Sequence, residues 1–300
     1  MDVAALLESL MAQQEENARK IAGFQTERKK IEMETQKIKM ETQCCLCHDT
    51  SKYHILRQLG EGGAATVYLA RAEDESRVAI KKFTSREDFK VEESRLQKIS
   101  KFDASTPGRS NVITLIDSYE EGDSGCLVIE AVGPSLQSLI EKRVKMTPDA
   151  VRKIQADITS ALSFLHKECD MVHQDVKPEN ICIKEFNYSG NDFAKCEYVL
   201  IDFGGGKTIN YIPPELANNT RQYRAATDDI WALGCVLFEV QALDCLMIVP
   251  PHLNGAKRQK TYQKQMTQIT SKVDAHILDG EIKKVIRRML EVDVEQRFRL

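Results

Sequence analysis

The chain has 300 residues, enough for an ample hydrophobic core, and Lys+Arg 42 against Asp+Glu 45 leave a net charge of −3. No global basic field points to nucleic acid or a membrane surface, and no apolar run approaches the ~18–20 residues of a membrane span. The polar N-terminus lacks a signal-peptide core, and nine irregularly spaced cysteines suit a reducing compartment better than a disulfide framework.

Residues 1–43 contain no proline and are rich in Glu, Gln, Lys, Ala and Met, a composition that favours helix. Leu7, Leu10, Ile21, Phe24, Ile31 and Ile38 follow a three–four spacing, broken by Gln14, Asn17, Arg28 and Thr35. The segment reads either as a helix that pairs with a second copy or as a solvated single helix. Residues 44–52 form a cysteine-rich linker. Its Cys44-Cys45-Leu46-Cys47-His48 matches the haem-attachment string, but no export signal accompanies it. A zinc site needs four ligands, and no second C-x-x-C pair exists in the chain, so two chains would have to share one ion. Free thiols in a linker are the simpler reading.

A folded unit begins near Tyr53. Ile55 to Leu59 reads as a strand, followed by Gly60-Glu61-Gly62-Gly63-Ala64-Ala65 and a second strand from Thr66-Val67-Tyr68. Glycines at 60 and 62 let backbone amides approach a phosphate closely. Val78-Ala79-Ile80-Lys81 is the next strand. A helix follows, in which Leu96 and Ile99 share a face with Glu92, favouring Glu92 over Glu93 as the inward carboxylate. Asn111 to Tyr119 and Cys126 to Val132 read as strands joined at Gly122-Asp123, and Leu136 to Lys142 as a helix. Thr147-Pro148 caps a long helix to Lys167, with apolar positions 151, 154, 158, 161, 162 and 165.

His173-Gln174-Asp175-Val176-Lys177-Pro178-Glu179-Asn180 is then a polar, proline-stiffened loop, and a short strand from Cys196 to Ile201 ends at Asp202-Phe203-Gly204. Phosphoryl transfer needs one carboxylate to orient an attacking hydroxyl, plus an amide and a second carboxylate to hold Mg²⁺. Asp175, Asn180 and Asp202 supply that set. These motifs resemble the catalytic loop and metal-binding motif of eukaryotic protein kinases, with Gln174 in place of the family's Arg. The glycine turn and Val78–Lys81 resemble the family's phosphate-covering hairpin and its V-A-I-K strand, with Ala65 for the third glycine. Asp229-Ile230-Trp231-Ala232-Leu233-Gly234 and Asp293-Val294-Glu295-Gln296-Arg297 resemble two further motifs of its large lobe.

The resemblance spans about residues 53–298. It implies an α+β, two-lobed protein-kinase-like fold: a small β-rich lobe over 53–132 and a larger helical lobe over 133–300, preceded by the N-terminal helix. It implies ATP and Mg²⁺ bound between the lobes. Gly60, Glu61, Gly62 and Gly63 would cover the phosphates. Val67, Ala79, Glu130, Val132 and Cys182 would line the adenine site, with Ile129 at its back. Lys81 and Glu92 would position phosphate, Asn180 and Asp202 would hold metal, Asp175 would orient the acceptor, and Lys177 would neutralise γ-phosphate charge, an association with Ser/Thr protein substrates. Asp229 would brace the catalytic-loop backbone, and Arg297 would pair with Glu215.

Two departures bear on regulation. Thr208-Ile209-Asn210-Tyr211-Ile212-Pro213-Pro214-Glu215 resembles the family's substrate-platform string, which leaves only Gly205, Gly206 and Lys207 between it and Gly204. No phosphorylatable residue remains there, and Gln174 removes the Arg that would bind such a phosphate. Activity is therefore expected without phosphorylation of this loop. A rival register places the platform at Thr220-Arg221-Gln222-Tyr223-Arg224-Ala225. Residues 250–275 read as loop and solvated helix. The competing function is a weakly catalytic pseudokinase scaffold that binds partners through its N-terminal helix; a small-molecule kinase fits less well, since it would not need the platform. A cytoplasmic enzyme, with a nuclear location compatible, is the expectation for localisation.

Overall fold

The computed structural model describes residues 11, 13, 14, 16, 17, 19–21, 23–33, 52–121, 124–206, 208–218, 224–250 and 252–300. The described residues between 11 and 33 are helical and exposed (α1). Helical spacing pairs Lys20 with Glu16 at 2.8 Å and Arg28 with Glu32 at 2.9 Å. Ile21, Phe24 and Ile31 lie exposed on this helix. Leu7, Leu10 and Ile38 of the expected seam, the Cys44–His48 string and the Gly122-Asp123 turn lie outside the described residues.

The small lobe is a five-stranded antiparallel sheet in the order β1-β2-β3-β5-β4. Its strands are β1 (Tyr53–Glu61), β2 (Ala65–Ala72), β3 (Arg77–Phe83), β4 (Leu115–Glu121) and β5 (Ser124–Glu130). Helix α2 (Arg86–Ile99) lies between β3 and β4 in sequence. Ser85 caps it by accepting from the amide of Asp88, which fixes where the short connection after Lys81 ends. Its buried face is Phe89, Glu92, Glu93, Leu96 and Ile99. Arg86 reaches Glu120 of β4 at 2.7 Å, Lys90 pairs with Glu93 at 2.8 Å, and Lys90 also pairs with Glu120. These contacts tie the outer side of α2 to the sheet.

One strand departs from its sequence reading. Asn111 to Thr114 is not part of β4: residues Arg109–Asn111 form a 3-10 turn, and the amide of Ile113 donates to Leu200 in the large lobe at 3.0 Å. Val112 and Ile113 carry strand-like side chains, but their pairing partner, Leu200, comes from the other lobe, whereas Thr114 accepts from the amide of Glu130 in β5 at 3.1 Å.

The large lobe contains α3 (Leu136–Glu141), α4 (Pro148–Lys167), the hairpin β6 (Ile181–Ile183) and β7 (Tyr198–Leu200), then α5 (Pro214–Ala217), α6 (Ala226–Ala242), α7 (Gly255–Met266), α8 (Ile269–His276) and α9 (Gly280–Met289). Thr147 caps α4, and Val151, Ile154, Ile158, Ala161, Leu162 and Leu165 form its buried stripe. Every residue of α6 from Asp228 to Val240 is buried, so this helix is the axis of the lobe. The 250–275 stretch is less solvated than its composition suggests. Tyr262 is buried and donates to the carbonyl of Ile212 at 2.6 Å, and Ile269 and Val273 are buried beside it. No described helix is long and apolar enough to cross a membrane.

Candidate active site

Helix α4 delivers the chain to residues 171–180, and α6 holds that loop by one carboxylate. Asp229 accepts from the amides of His173 at 2.8 Å and Gln174 at 2.9 Å, and lies 2.8 Å from Nε2 of His166. Gln174 sits at φ +78°, a left-handed conformation costing a non-glycine residue ~1–3 kcal/mol unless its surroundings enforce it. The paired bonds to Asp229 do so. His173 is fully buried, and burial pulls its pKa below the ordinary value. Its ring packs edge-on against Phe203 with centroids 4.9 Å apart.

On this frame the carboxylate of Asp175 is held from three sides. Nζ of Lys177 donates to Oδ2 at 2.6 Å, the hydroxyl of Thr208 donates to Oδ1 at 2.8 Å, and Nδ2 of Asn180 lies 3.3 Å from Oδ2. Nδ2 of Asn180 also donates to the Asp175 carbonyl at 2.9 Å, which leaves Asn180 Oδ1 with no hydrogen-bond donor among the described residues. Lys177 also reaches Thr208 Oγ1 at 3.2 Å.

Across the cleft, Nζ of Lys81 donates to Glu92 Oε2 at 2.7 Å, Glu92 Oε1 at 2.9 Å and Asp202 Oδ1 at 2.7 Å. The inward carboxylate is thus Glu92, while Glu93 faces Lys90. Burial opposes the charge on Lys81, but its two carboxylate neighbours outweigh that and hold its pKa above the ordinary lysine value. Burial pushes Glu92 up, with Lys81 pulling against it. Burial also pushes Asp202 up, and there Lys81 prevails and holds the group below the usual carboxylate range. Asp202, at φ +65°, is a second left-handed residue in the cleft.

The remaining predicted residues surround this pair. Gly60 and Glu61 end β1, opposite Val67 and Thr66, and Gly62 and Gly63 open the exposed β1–β2 turn, closed by the amide of Gly62 on Ala65 O at 2.9 Å. Val67 lies opposite Lys81 and Ala79 opposite Ile129 in the sheet register. After Glu130 the backbone amides of Ala131 and Val132 have no backbone partner among the described residues, so the segment joining the lobes presents an open hydrogen-bonding edge. Cys182 on β6 bridges to Ser135 beside that segment, and burial pushes its thiol up to about 12, an unreactive group.

The donor set fits a nucleotide and a hard divalent cation. No three acidic, His or Cys side chains among the described residues are grouped so as to hold a metal ion by themselves. An ion here would take the oxygens of Asp202 and Asn180 and complete its shell with phosphate and water, as Mg²⁺ prefers.

Two contacts hold the Thr208–Glu215 string. Thr208 binds Asp175, and Glu215 pairs with Arg297 through two bonds of 2.8 and 3.0 Å. The string thus runs from the catalytic loop to the base of the large lobe; most of the rival string lies outside the described residues. The segment before it runs close to the catalytic loop. A Cβ on Gly206 would fall 2.7 Å from Asp175 Oδ2, whereas one on Gly204 meets nothing closer than Glu92 Oε2 at 3.4 Å. Gly206→Ala should therefore displace Asp175 and lower turnover ~100-fold, while Gly204→Ala changes it little. Steady-state kinetics on both variants, with thermal melts to verify folding, test this.

A further pair was not foreseen. The hydroxyl of Tyr211 donates to Glu239 Oε2 at 2.8 Å, anchoring the platform to α6. Burial, with Glu179 and Asp244 adding repulsion, raises Glu239 to about 7, and Tyr211 only partly offsets it. A lone carboxylate in the apolar run Val236-Leu237-Phe238-Glu239-Val240 was the available signal. Since the folded value lies above the unfolded one, the native state keeps a proton that the unfolded chain has released between about pH 4.5 and 7. Stability contributed below that window is lost as pH rises through it. Glu239→Gln should remove this component, ~1–3 kcal/mol, from the pH dependence of unfolding. Denaturant melts of both proteins from acid to neutral pH measure it.

Comparison with known proteins agrees with this geometry. A solved structure described as "Crystal structure of Rad53 1-466 in complex with AMP-PNP" superposes with a TM-score of 0.64 at 23% identity, covering 82% of this chain and 62% of that one. Serine/threonine-protein kinase ICK of Mus musculus is 31% identical over 208 residues, covering 64% of this chain and 31% of that protein. Serine/threonine-protein kinase sel-5 of Caenorhabditis elegans is 26% identical over 282 residues, covering 83% of this chain. The chain spans only 24% of sel-5 and 14% of serine/threonine-protein kinase 36 of Pongo abelii, which is 29% identical over 202 residues. The family model described as "Protein kinase domain" matches residues 53–300. With that match covering most of its length and the expected lobes and cleft present, the chain belongs to the protein kinase family.

Proposed function

We propose that this protein transfers the γ-phosphate of ATP, with Mg²⁺, to serine or threonine hydroxyls of protein substrates, and does so without phosphorylation of its activation segment. The observation that carries the reading is the closed Lys81–Glu92–Asp202 arrangement facing a fully braced Asp175. Lys81, held by Glu92, binds the α- and β-phosphates. Asp202 and Asn180 hold the metal, which when bound supplies charge neutralisation for the phosphoryl oxygens. Asp175 orients the acceptor hydroxyl, and Lys177 meets charge on the transferred group. The glycine turn covers the phosphates, and Val67, Ala79, Ile129 and Cys182 enclose the base against the open edge after Glu130, at Ala131 and Val132.

Support for the regulatory half is local. The platform threonine already binds Asp175, and no Ser, Thr or Tyr lies between Gly204 and Thr208. Similarity to proteins named serine/threonine kinases supports the acceptor class. Pairing of two copies through residues 1–43 and a cytoplasmic location belong to the same reading. The latter is consistent with the described cysteines, all of them free thiols.

Transfer of labelled γ-phosphate to generic Ser/Thr substrates, beside an Asp175→Asn control, tests the reading. Label that appears on Ser/Thr and vanishes in the control is expected. Nucleotide binding without transfer would instead favour a scaffold.

A further inference from the structure

The cleft accounts for Glu92 but not for the arginine one turn further along the same helix. Arg95 is half-buried and makes no ion pair with any described residue. Its Nη1 donates to the carbonyl of Phe203 at 3.3 Å. A Cβ built on Gly205 would lie 3.5 and 3.7 Å from its two terminal nitrogens, and 3.4 Å from Oε1 of Gln174. A cation from α2 and an amide from the catalytic loop thus converge on one backbone point of the segment after Asp202.

Taking a guanidinium partly out of water without a carboxylate partner is costly. Burial accordingly lowers the pKa of Arg95, with only longer-range attraction from Asp229 and Glu92 against it. What Arg95 gains is a charge-assisted bond to a main-chain carbonyl, stronger than a neutral one. That carbonyl belongs to the residue after Asp202, and Asp202 itself is held at φ +65°. Glu92 and Arg95 lie three residues apart on α2 and so face the same side. The helix therefore grips Lys81 with one side chain and the metal-binding segment with the other.

We propose that Arg95 is a positioning residue: it clamps residues 202–206 so that Asp202 points into the cleft, a task that needs no phosphate-bearing side chain in this chain. It touches neither nucleotide nor acceptor and acts through Asp202. Lysine at this position carries a point charge and cannot reach the carbonyl and flank Gly205 together. The inference rests on the kinase reading for its consequence, and on the geometry alone for the clamp.

The test therefore uses two readouts on the full chain. Hydrogen–deuterium exchange reports the clamp without any activity. Arg95→Leu should raise uptake in peptides covering 202–206 and leave those covering 148–167 unchanged. In steady-state assays the same variant should lose ~10–100-fold in kcat with the KM for ATP nearly unchanged, the pattern of lost positioning. Arg95→Lys should fall between, and Arg95→Gln, which removes the charge with little change in bulk, should follow the Leu variant if that one melts early. Adding Gln174→Arg to Arg95→Leu returns a guanidinium from the opposite wall and should recover part of the kcat. Unchanged uptake at 202–206 in both Arg95→Leu and Arg95→Gln would overturn the clamp even if the wild type is an active kinase. A wild type that transfers no phosphate defeats the kinase reading while the exchange data still judge the clamp.

Discussion

On the proposed function, Lys81→Met should lower phosphoryl transfer ~10²–10³-fold, the loss expected when one charged group aimed at the reacting oxygens is removed. The effect on the fold is more instructive. Lys81 lies between Glu92, 4% exposed at its side chain, and Asp202, 38% exposed. Removing the cation leaves two carboxylates facing each other. Glu92 is the more deeply buried and is already pushed up by burial, so it will be the one to take up a proton. Its folded pKa then lies further above the unfolded value, and the variant should lose stability as pH rises out of the acid range. Adding Glu92→Gln removes that loss without restoring transfer. Chemical denaturation of the three proteins at several pH values, with kinase assays in parallel, checks both halves. Equal pH dependence in wild type and Lys81→Met would contradict the charge balance described for the cleft.

Arg297→Leu should destabilise the large lobe by ~3–5 kcal/mol, the scale of loss when a buried pair is broken. The guanidinium has no exposed surface and forms two bonds to Glu215, at 2.8 and 3.0 Å. It also donates to the carbonyls of Glu291 at 2.9 Å and Thr227 at 3.2 Å, and stacks 5.0 Å from the ring of Trp231. Leucine supplies none of these, so the carboxylate loses both of its bonds to the guanidinium and each carbonyl loses one. At ~2–4 °C per kcal/mol for a domain of this size, the melting temperature falls by ~10 °C. Arg297→Lys recovers little, because an ammonium cannot make the forked bond. Glu215 follows the platform, so the surviving folded fraction should show a raised KM for protein substrate and a nearly unchanged KM for ATP. A melting temperature within ~1 °C of wild type would show the pair to be dispensable.

Motifs in which chemistry dictates residue type and spacing were readable from the chain alone. Asp175, Lys177 and Asn180 bond to one another and Asp202 bonds to Lys81, and the choice of Glu92 over Glu93 followed from the helical face shared with Leu96 and Ile99. The apolar stripe of α4 matched position by position. Features set by contacts distant in sequence were not. The Val112–Thr114 stretch has strand-forming side chains, yet Ile113 bonds to Leu200, and nothing near it in sequence announces that partner. The lysine- and glutamine-rich run around Tyr262 hides one buried phenol that holds Ile212. Tyr211 and Glu239 are 28 residues apart, and although Glu239 stands out as a lone carboxylate in an apolar run, nothing near it in sequence announces its partner. Nothing in the sequence marks Arg95 out on α2, because its acceptor is a main-chain carbonyl and leaves no trace in side-chain pattern.

The central claim is that these contacts assemble a working site unaided. It is tested most directly by expressing the full chain, treating it with phosphatase and verifying by intact mass that no phosphate remains, then measuring initial rates of γ-phosphate transfer with Mg²⁺ at saturating ATP. The account predicts a rate equal to that of the untreated protein from the first turnovers, with no lag. A rate that collapses on phosphatase treatment and returns only after rephosphorylation would contradict it.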